Sequence, residues 1–376
     1  MRSTFRTLRF GLTWSGRAPA PPRREVVLDG EGGSVSAHLY SPEAGGTGGG
    51  SVGLGAHPRV PAWIVLHGIT RPGRDHPSLV RFSRALASTG ALVLVPEIPE
   101  WKRLELAPRR TAAAVRAGVE ALDDEESGGP RPVGLVGFSF GGPQGLCASA
   151  RPGLTGRLDA VVSWGGYADL ERTFRFQFTG VHEWEGRRHR LRPDPYGRWV
   201  VGANLLPSAS GFGNAEDVAQ ALHTLAARAG DSRIPAGDPA LNPVTKEVRG
   251  RLCPSRRDLF DLFAPVGRPD PTEEEVEGVV QALLAAAARE NPELDPSPLL
   301  PSVRTRARLL HGRGDRLIPF TETLRLERSL PREALTRTAI TGLFAHSGGA
   351  GAASVLGNLR ESARFGRALQ DILTLL

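Results

Sequence analysis

Cysteine is nearly missing from this chain of 376 residues, which has only Cys147 and Cys253. Two cysteines cannot build a disulfide framework or, without clustered partners, a zinc finger. Lysine is just as scarce, at Lys102 and Lys246, so arginine carries the positive charge. That skew reads as a GC-rich, bacterial-like coding bias that places arginine at ordinary surface positions. The arginines are spread along the chain among 40 acids, so the net charge of +7 reads as a solvated surface and not as a nucleic-acid site. No apolar run reaches the roughly 18 residues of a membrane span, so no stable membrane insertion is expected. The opening MRSTFRTLRFGLTW has no apolar block long enough for a secretory leader. These absences point to a cytoplasmic protein. With 40% hydrophobic and 23% charged residues, the chain can bury a core and is not disordered throughout.

Residues 1–24 end in APAPPRR and read as an irregular tail. Residues 25–40 read as a hairpin: Val26 and Leu28 precede a glycine-rich turn, after which Val35, Ala37 and Leu39 alternate with polar residues. Residues 45–55 are a glycine-rich loop with no lysine after it, unlike a phosphate-binding loop. From residue 62 the texture changes. Short apolar runs at 62–66, 91–95, 133–136 and 158–163 suit strands buried on both faces, and helical patterns at 79–88, 111–122 and 143–150 separate them. Strands return at 307–310 and 335–340, and 354–375 reads as a terminal helix. The alternation predicts an α/β fold: a mostly parallel sheet with helices on both faces. It lapses across 171–300, where only 272–289 reads plainly as a helix, opened by the capping box Thr272-x-x-Glu275. The chain therefore divides into a core of 25–170 and 301–376 and an insertion of 171–300. No internal repeat is evident.

The densest chemical signal is Gly137-Phe138-Ser139-Phe140-Gly141-Gly142, between the strand VGLV and a helix. A serine at such a turn is forced into a strained backbone, and the glycines remove side chains that would collide. Its hydroxyl is then exposed at the carboxyl edge of the sheet, and the helix start offers N–H groups to an oxyanion. Serine needs a base and an orienting acid to become a nucleophile at neutral pH. Asp315, in His311-Gly312-Arg313-Gly314-Asp315, follows a strand toward that same edge, and His346 follows the next strand. The order Ser, Asp, His suits this architecture. Asp169 is a rival acid, and Asp75 and Glu97 also follow strands.

These segments, with the pair His67-Gly68, LLHGRGDRLIP and AHSG, resemble the α/β-hydrolase superfamily over roughly residues 60–170 and 300–376. The chain lacks the HGGG run of the hormone-sensitive-lipase type. The resemblance implies an oxyanion hole formed by the Phe140 and Ile69 N–H groups, with His67 shaping the turn. It also implies that 171–300 is a cap over the elbow, so substrate choice is assigned there, with Phe174, Trp184, Tyr196 and Trp199 as candidate pocket residues. Arg187, Arg188, Arg190 and Arg192 are the insertion's dense basic cluster and read as a solvated arm. His182, Glu183, Glu185 and His189 lack a diagnostic metal spacing, and Cys147 reads as a core residue.

The expected activity is carboxylic ester hydrolysis through an acyl-enzyme on a small-molecule substrate, with no cofactor, metal or nucleic acid. Peptidase, thioesterase and dienelactone-type chemistry remain rivals on the same triad, although a dienelactone hydrolase usually has cysteine where Ser139 stands. A non-catalytic binding protein that keeps the fold is the rival from another class.

Overall fold

The computed structural model describes residues 2–30, 33–42, 60–123, 131–267, 269–342 and 359–376. The glycine-rich stretch 45–55 and His346 lie outside the described residues.

In chain order the first half comprises α1 (Arg2–Trp14), β1 (Arg23–Leu28), β2 (Val35–Tyr40), β3 (Ala62–Leu66), α2 (Pro77–Ala87), β4 (Leu92–Pro96), α3 (Pro99–Lys102), α4 (Arg109–Asp123), β5 (Val133–Phe138), α5 (Gly141–Ser149) and β6 (Ala160–Trp164). There follow α6 (Leu170–Thr179), β7 (Val181–Trp184), β8 (Arg187–Arg190), α7 (Pro195–Leu205), α8 (Glu216–Ser232), α9 (Asn242–Arg251), α10 (Pro254–Phe263) and α11 (Glu273–Glu290). The chain closes with β9 (Arg306–Gly312), α12 (Phe320–Ser329), β10 (Arg337–Thr341) and α13 (Leu359–Leu373).

Eight strands form one sheet in the order β1-β2-β4-β3-β5-β6-β9-β10. The β1–β2 hairpin is antiparallel, with Val26 opposite Ala37, and β2 runs antiparallel to β4. Every other pairing is parallel. This order, with helices on both faces, is the α/β-hydrolase fold. The central strands are uninterrupted apolar runs because both of their faces are covered, and β3 and β4 are buried at every position. One face packs under α4, α5 and the segment between β6 and β9; the other packs under α1, α2 and α13 through Phe10, Phe82, Leu369 and Ile372.

Two regions differ from the sequence expectation. The expected irregular tail holds helix α1, whose Phe10 is buried against Phe82 with ring centroids 5.7 Å apart. Between β6 and β9 the described residues form five further helices, α6 to α10, besides the expected α11. The capping box of α11 is present as read: Thr272 Oγ1 accepts the Glu275 N–H and Glu275 Oε2 accepts the Thr272 N–H. Among the described residues, no helix is long and apolar enough to cross a membrane.

Candidate active site

The turn from β5 into α5 is built around Ser139, which has φ of 53°, a left-handed conformation that costs free energy for any residue with a side chain. Its neighbours are glycine for a steric reason. A Cβ on Gly137 would lie 2.0 Å from the Gly141 carbonyl oxygen, and one on Gly142 would lie 2.5 Å from Ser163 Oγ. The Ser139 N–H donates to the Trp164 carbonyl at 2.8 Å, and the Gly142 N–H donates back to the Ser139 carbonyl at 3.0 Å. Both the strand on one side and the helix start on the other therefore hold the elbow.

The loop after β3 closes over this turn. A Cβ on Gly68 would lie 3.4 Å from Ser139 Cβ and 3.9 Å from its Oγ, ordinary contact distances that place this loop directly beside the hydroxyl. His67 is buried and bonded at both ring nitrogens. Nε2 accepts the Ile98 N–H at 3.2 Å, which requires a lone pair there and so puts the proton on Nδ1. Nδ1 then donates to the Gly68 carbonyl at 2.7 Å. Trp101 packs edge-on against both the His67 ring, at 5.4 Å, and the Phe140 ring, at 5.2 Å. The two segments carrying the Ile69 and Phe140 N–H groups are thus joined through one indole.

Glu97 braces this loop from below. Its Oε1 lies 3.4 Å from His67 Nε2, while Lys102 Nζ and Arg74 Nε each approach Oε2 at 3.4 Å. Gly73, at φ of 53°, leaves it room, since a Cβ there would come within 2.4 Å of Oε1. Burial opposes the Glu97 charge, but the Lys102 and Arg74 cations beside it counter that cost, and the carboxyl lies below its usual range. From sequence this carboxylate reads as a surface group or as one bonded to a loop at that edge; its partners are His67 and Arg74 from the segment after β3 and Lys102 from α3. Asp75, the other post-strand acid, pairs with Arg23 at 3.1 Å.

Asp315 is 2% exposed on the loop after β9. Its Oδ1 accepts the N–H groups of Leu317 and Ile318 at 2.9 and 3.1 Å, and Oδ2 lies 3.3 Å from His311 Nε2. His311 is itself fixed: Nε2 donates to the Ile318 carbonyl at 2.9 Å, and Nδ1 lies 2.6 Å from Thr323 Oγ1. Phe138, Trp164 and Leu310 align across β5, β6 and β9, and Thr341 of β10 pairs with Gly312. Ser139 and Asp315 therefore leave their strands at one edge of the sheet, and β10 ends at that same edge.

The rival acid has another task. Asp169 caps α6 by accepting the Arg172 N–H at 2.8 Å, and buried Glu322 accepts the Ala168 and Asp169 N–H groups at 3.1 Å each.

The candidate pocket aromatics are not found together. Phe174 and Trp199 are buried in the core, and Trp199 Nε1 donates to the Phe263 carbonyl at 3.0 Å. Trp184, on the β7–β8 hairpin, lies under the Arg328 guanidinium at 4.1 Å. Tyr196 reaches the site: its hydroxyl donates to the Ile69 carbonyl at 3.2 Å, and burial raises its pKa. Arg187 is exposed on the same hairpin, while Arg188 pairs with Glu273. The His182 and His189 rings stack at 5.0 Å, and among the described residues no three side chains are grouped to hold a metal. Burial raises the pKa of Cys147 to about 12, as expected for a core thiol.

No protein-family model and no curated protein matches the chain. Solved structures do resemble it. A 2,6-dihydroxy-pseudo-oxynicotine hydrolase is 18% identical with a TM-score of 0.47, over 96% of this chain and 71% of that one. Est1E from Butyrivibrio proteoclasticus is 9% identical with a TM-score of 0.46, over 93% and 97%. The acylaminoacyl peptidase of Pyrococcus horikoshii is 12% identical with a TM-score of 0.45, and the match spans 97% of this chain but only 42% of the peptidase.

Proposed function

We propose that the chain is a serine hydrolase that cleaves carboxylic esters of small molecules through Ser139, His346 and Asp315. One observation carries this reading: Ser139 is held at φ of 53° between a strand and a helix start, with the His67-Gly68 loop beside its hydroxyl. A left-handed serine between a strand and a helix start is the conformation that presents a nucleophile's hydroxyl at the sheet edge. Asp315, buried and doubly bonded at Oδ1, is the group suited to orient an imidazole without being protonated itself.

In the cycle, His346 takes the Ser139 proton as Oγ attacks the ester carbonyl. The N–H groups of Ile69 and Phe140 receive the oxyanion; among the described residues neither has a backbone acceptor. Collapse expels the alcohol with a proton from His346 and leaves an acyl-serine. Water, deprotonated by His346, then attacks the acyl carbon and releases the acid. The segment 171–300 acts as a cap on the 25–170 and 301–376 core, and Tyr196 and Asp231 join it to the oxyanion loop at the Ile69 carbonyl and Arg71.

The test is labelling with a fluorophosphonate beside a screen of short nitrophenyl esters, thioesters, lactones and amides. The native chain is expected to label and to prefer esters, and Ser139→Ala to lose both signals. Turnover retained by Ser139→Ala places the nucleophile elsewhere, and preference for amides makes the enzyme a peptidase or amidase.

A further inference from the structure

The arginines are spread along the chain, but the net charge is not. Residues 1–24 hold Arg2, Arg6, Arg9, Arg17, Arg23 and Arg24 and no Asp or Glu, which leaves the rest of the chain nearly neutral against a total of +7. Helix α1 lies in this segment. One side is docked: Phe10 is buried, Arg6 Nη1 donates to the carbonyls of Leu373 and Leu376 at 3.1 and 3.0 Å, and Trp14 lies under the Arg81 guanidinium at 5.4 Å.

The opposite side should be polar if it faced only water. Instead Phe5, Leu8 and Leu12 are 61%, 60% and 37% exposed, at the i, i+3, i+7 spacing that makes one stripe. Thr4, Gly11 and Ser15 complete that side, and no charge interrupts it. The helices on which α1 rests add exposed Arg81 from α2 and exposed Arg360, Arg364 and Arg367 from α13. The two acids of α13 are already engaged: Glu361 by Arg364 and the Gly342 N–H, and Asp371 by Arg308 and Arg337.

Three kinds of partner meet a basic, apolar-striped face, and the chemistry separates them. A polyanion such as nucleic acid would use the arginines but would give Phe5, Leu8 and Leu12 no apolar surface. A second copy would cover the stripe but would bring two arginine-rich faces together. An anionic bilayer surface satisfies both requirements, because the acyl boundary takes apolar side chains while lipid phosphates take guanidinium groups. We propose that α1 seats the protein on anionic membrane surfaces, with Phe5, Leu8 and Leu12 entering the interface and the surrounding arginines meeting the headgroups. One short helix with three apolar contacts gives a reversible, salt-sensitive attachment and not an anchor.

The full chain is to be sedimented with phosphatidylcholine vesicles and with vesicles of phosphatidylcholine and phosphatidylglycerol. The expected result is partition into the anionic vesicles alone, weakened by added salt. Leu8→Glu is expected to lower that partition by about tenfold or more, and Phe5→Ser to lower it as well. Both positions are exposed, so the melting temperature and the turnover of a soluble ester are expected to match the parent. Equal partition into neutral vesicles, no partition into either, or undiminished partition of both variants overturns the proposal. Retention on nucleic acid in place of vesicles overturns it, as does self-association that Leu8→Glu abolishes in a protein that ignores vesicles.

Discussion

A trans peptide group holds its carbonyl and its N–H on opposite sides, so fixing one aims the other. The Gly68 carbonyl and the Ile69 N–H belong to one such group, and His67 Nδ1 holds that carbonyl at 2.7 Å. On the proposed function, His67 is a positioning residue for the Ile69 oxyanion donor that does not itself touch substrate. His67→Leu is expected to lower kcat by about 100-fold, with KM little changed, as when such a donor is lost. His67→Asn, whose amide nitrogen reproduces the Nδ1 donor, is expected to recover most of that loss, and His67→Gln is not. Equal losses in the Leu and Asn variants would assign the effect to packing against Trp101. The acid is tested at the same scale. Asp315→Asn is expected to cost about 10,000-fold in kcat by analogy with triad acids elsewhere. Asp169→Asn is expected to leave turnover near normal, since asparagine also caps a helix; a large loss there instead would transfer the acid role. Ser139 and Asp315 were readable in sequence because neighbours within a few residues define their turns. Glu97 and the Tyr196 hydroxyl were not, because they reach the site across 20 or more positions.

The elements that sequence revealed are those whose local pattern and tertiary fate agree. Strands β3, β4 and β5 are apolar at successive positions because both faces are covered, and α11 announces itself by its capping box. Thr272→Ala removes one side of that box and is expected to cost about 1 kcal/mol. Urea unfolding would show it as a lower midpoint with unchanged slope, and with activity intact; an unchanged midpoint would mean packing alone fixes the start of the helix. Helix α8 escaped notice although Val218, Leu222, Leu225 and Ala229 fall on one face, because small alanines fill its remaining buried positions and blur the period. Helix α1 escaped for the opposite reason. Apolar residues stand on both of its sides, Phe10 inward and Leu8 outward, so its sequence shows no single stripe to read as a packed face.

At the scale of the whole molecule, acid is expected to destabilise the fold, and three groups push the same way: His182 in one region, and His38 and Glu97 around the shared Arg74 in another. His182, set between Phe176 and Phe320, has its pKa lowered from 6.5 to about 4, first by burial and then by His189, Arg325 and His311. His38 is lowered as well, by burial and by Arg74 and Arg23. Unfolding frees both imidazoles to take protons that the native state refuses, so the unfolded chain binds more protons as pH falls below 6.5. Glu97 adds to this at lower pH. Its native pKa lies below its ordinary value, so the stability it contributes is present above that value and is lost as pH falls through the native one. The melting temperature is therefore expected to decline steadily from pH 7 to pH 4, with the His182 part confined to the window between about 6.5 and 4. His182→Gln cannot titrate there and is expected to show a shallower decline than the parent across that window, whatever its stability at pH 7. Parallel curves for the two proteins would remove His182 from the account and leave His38 and the carboxylates to carry the acid sensitivity.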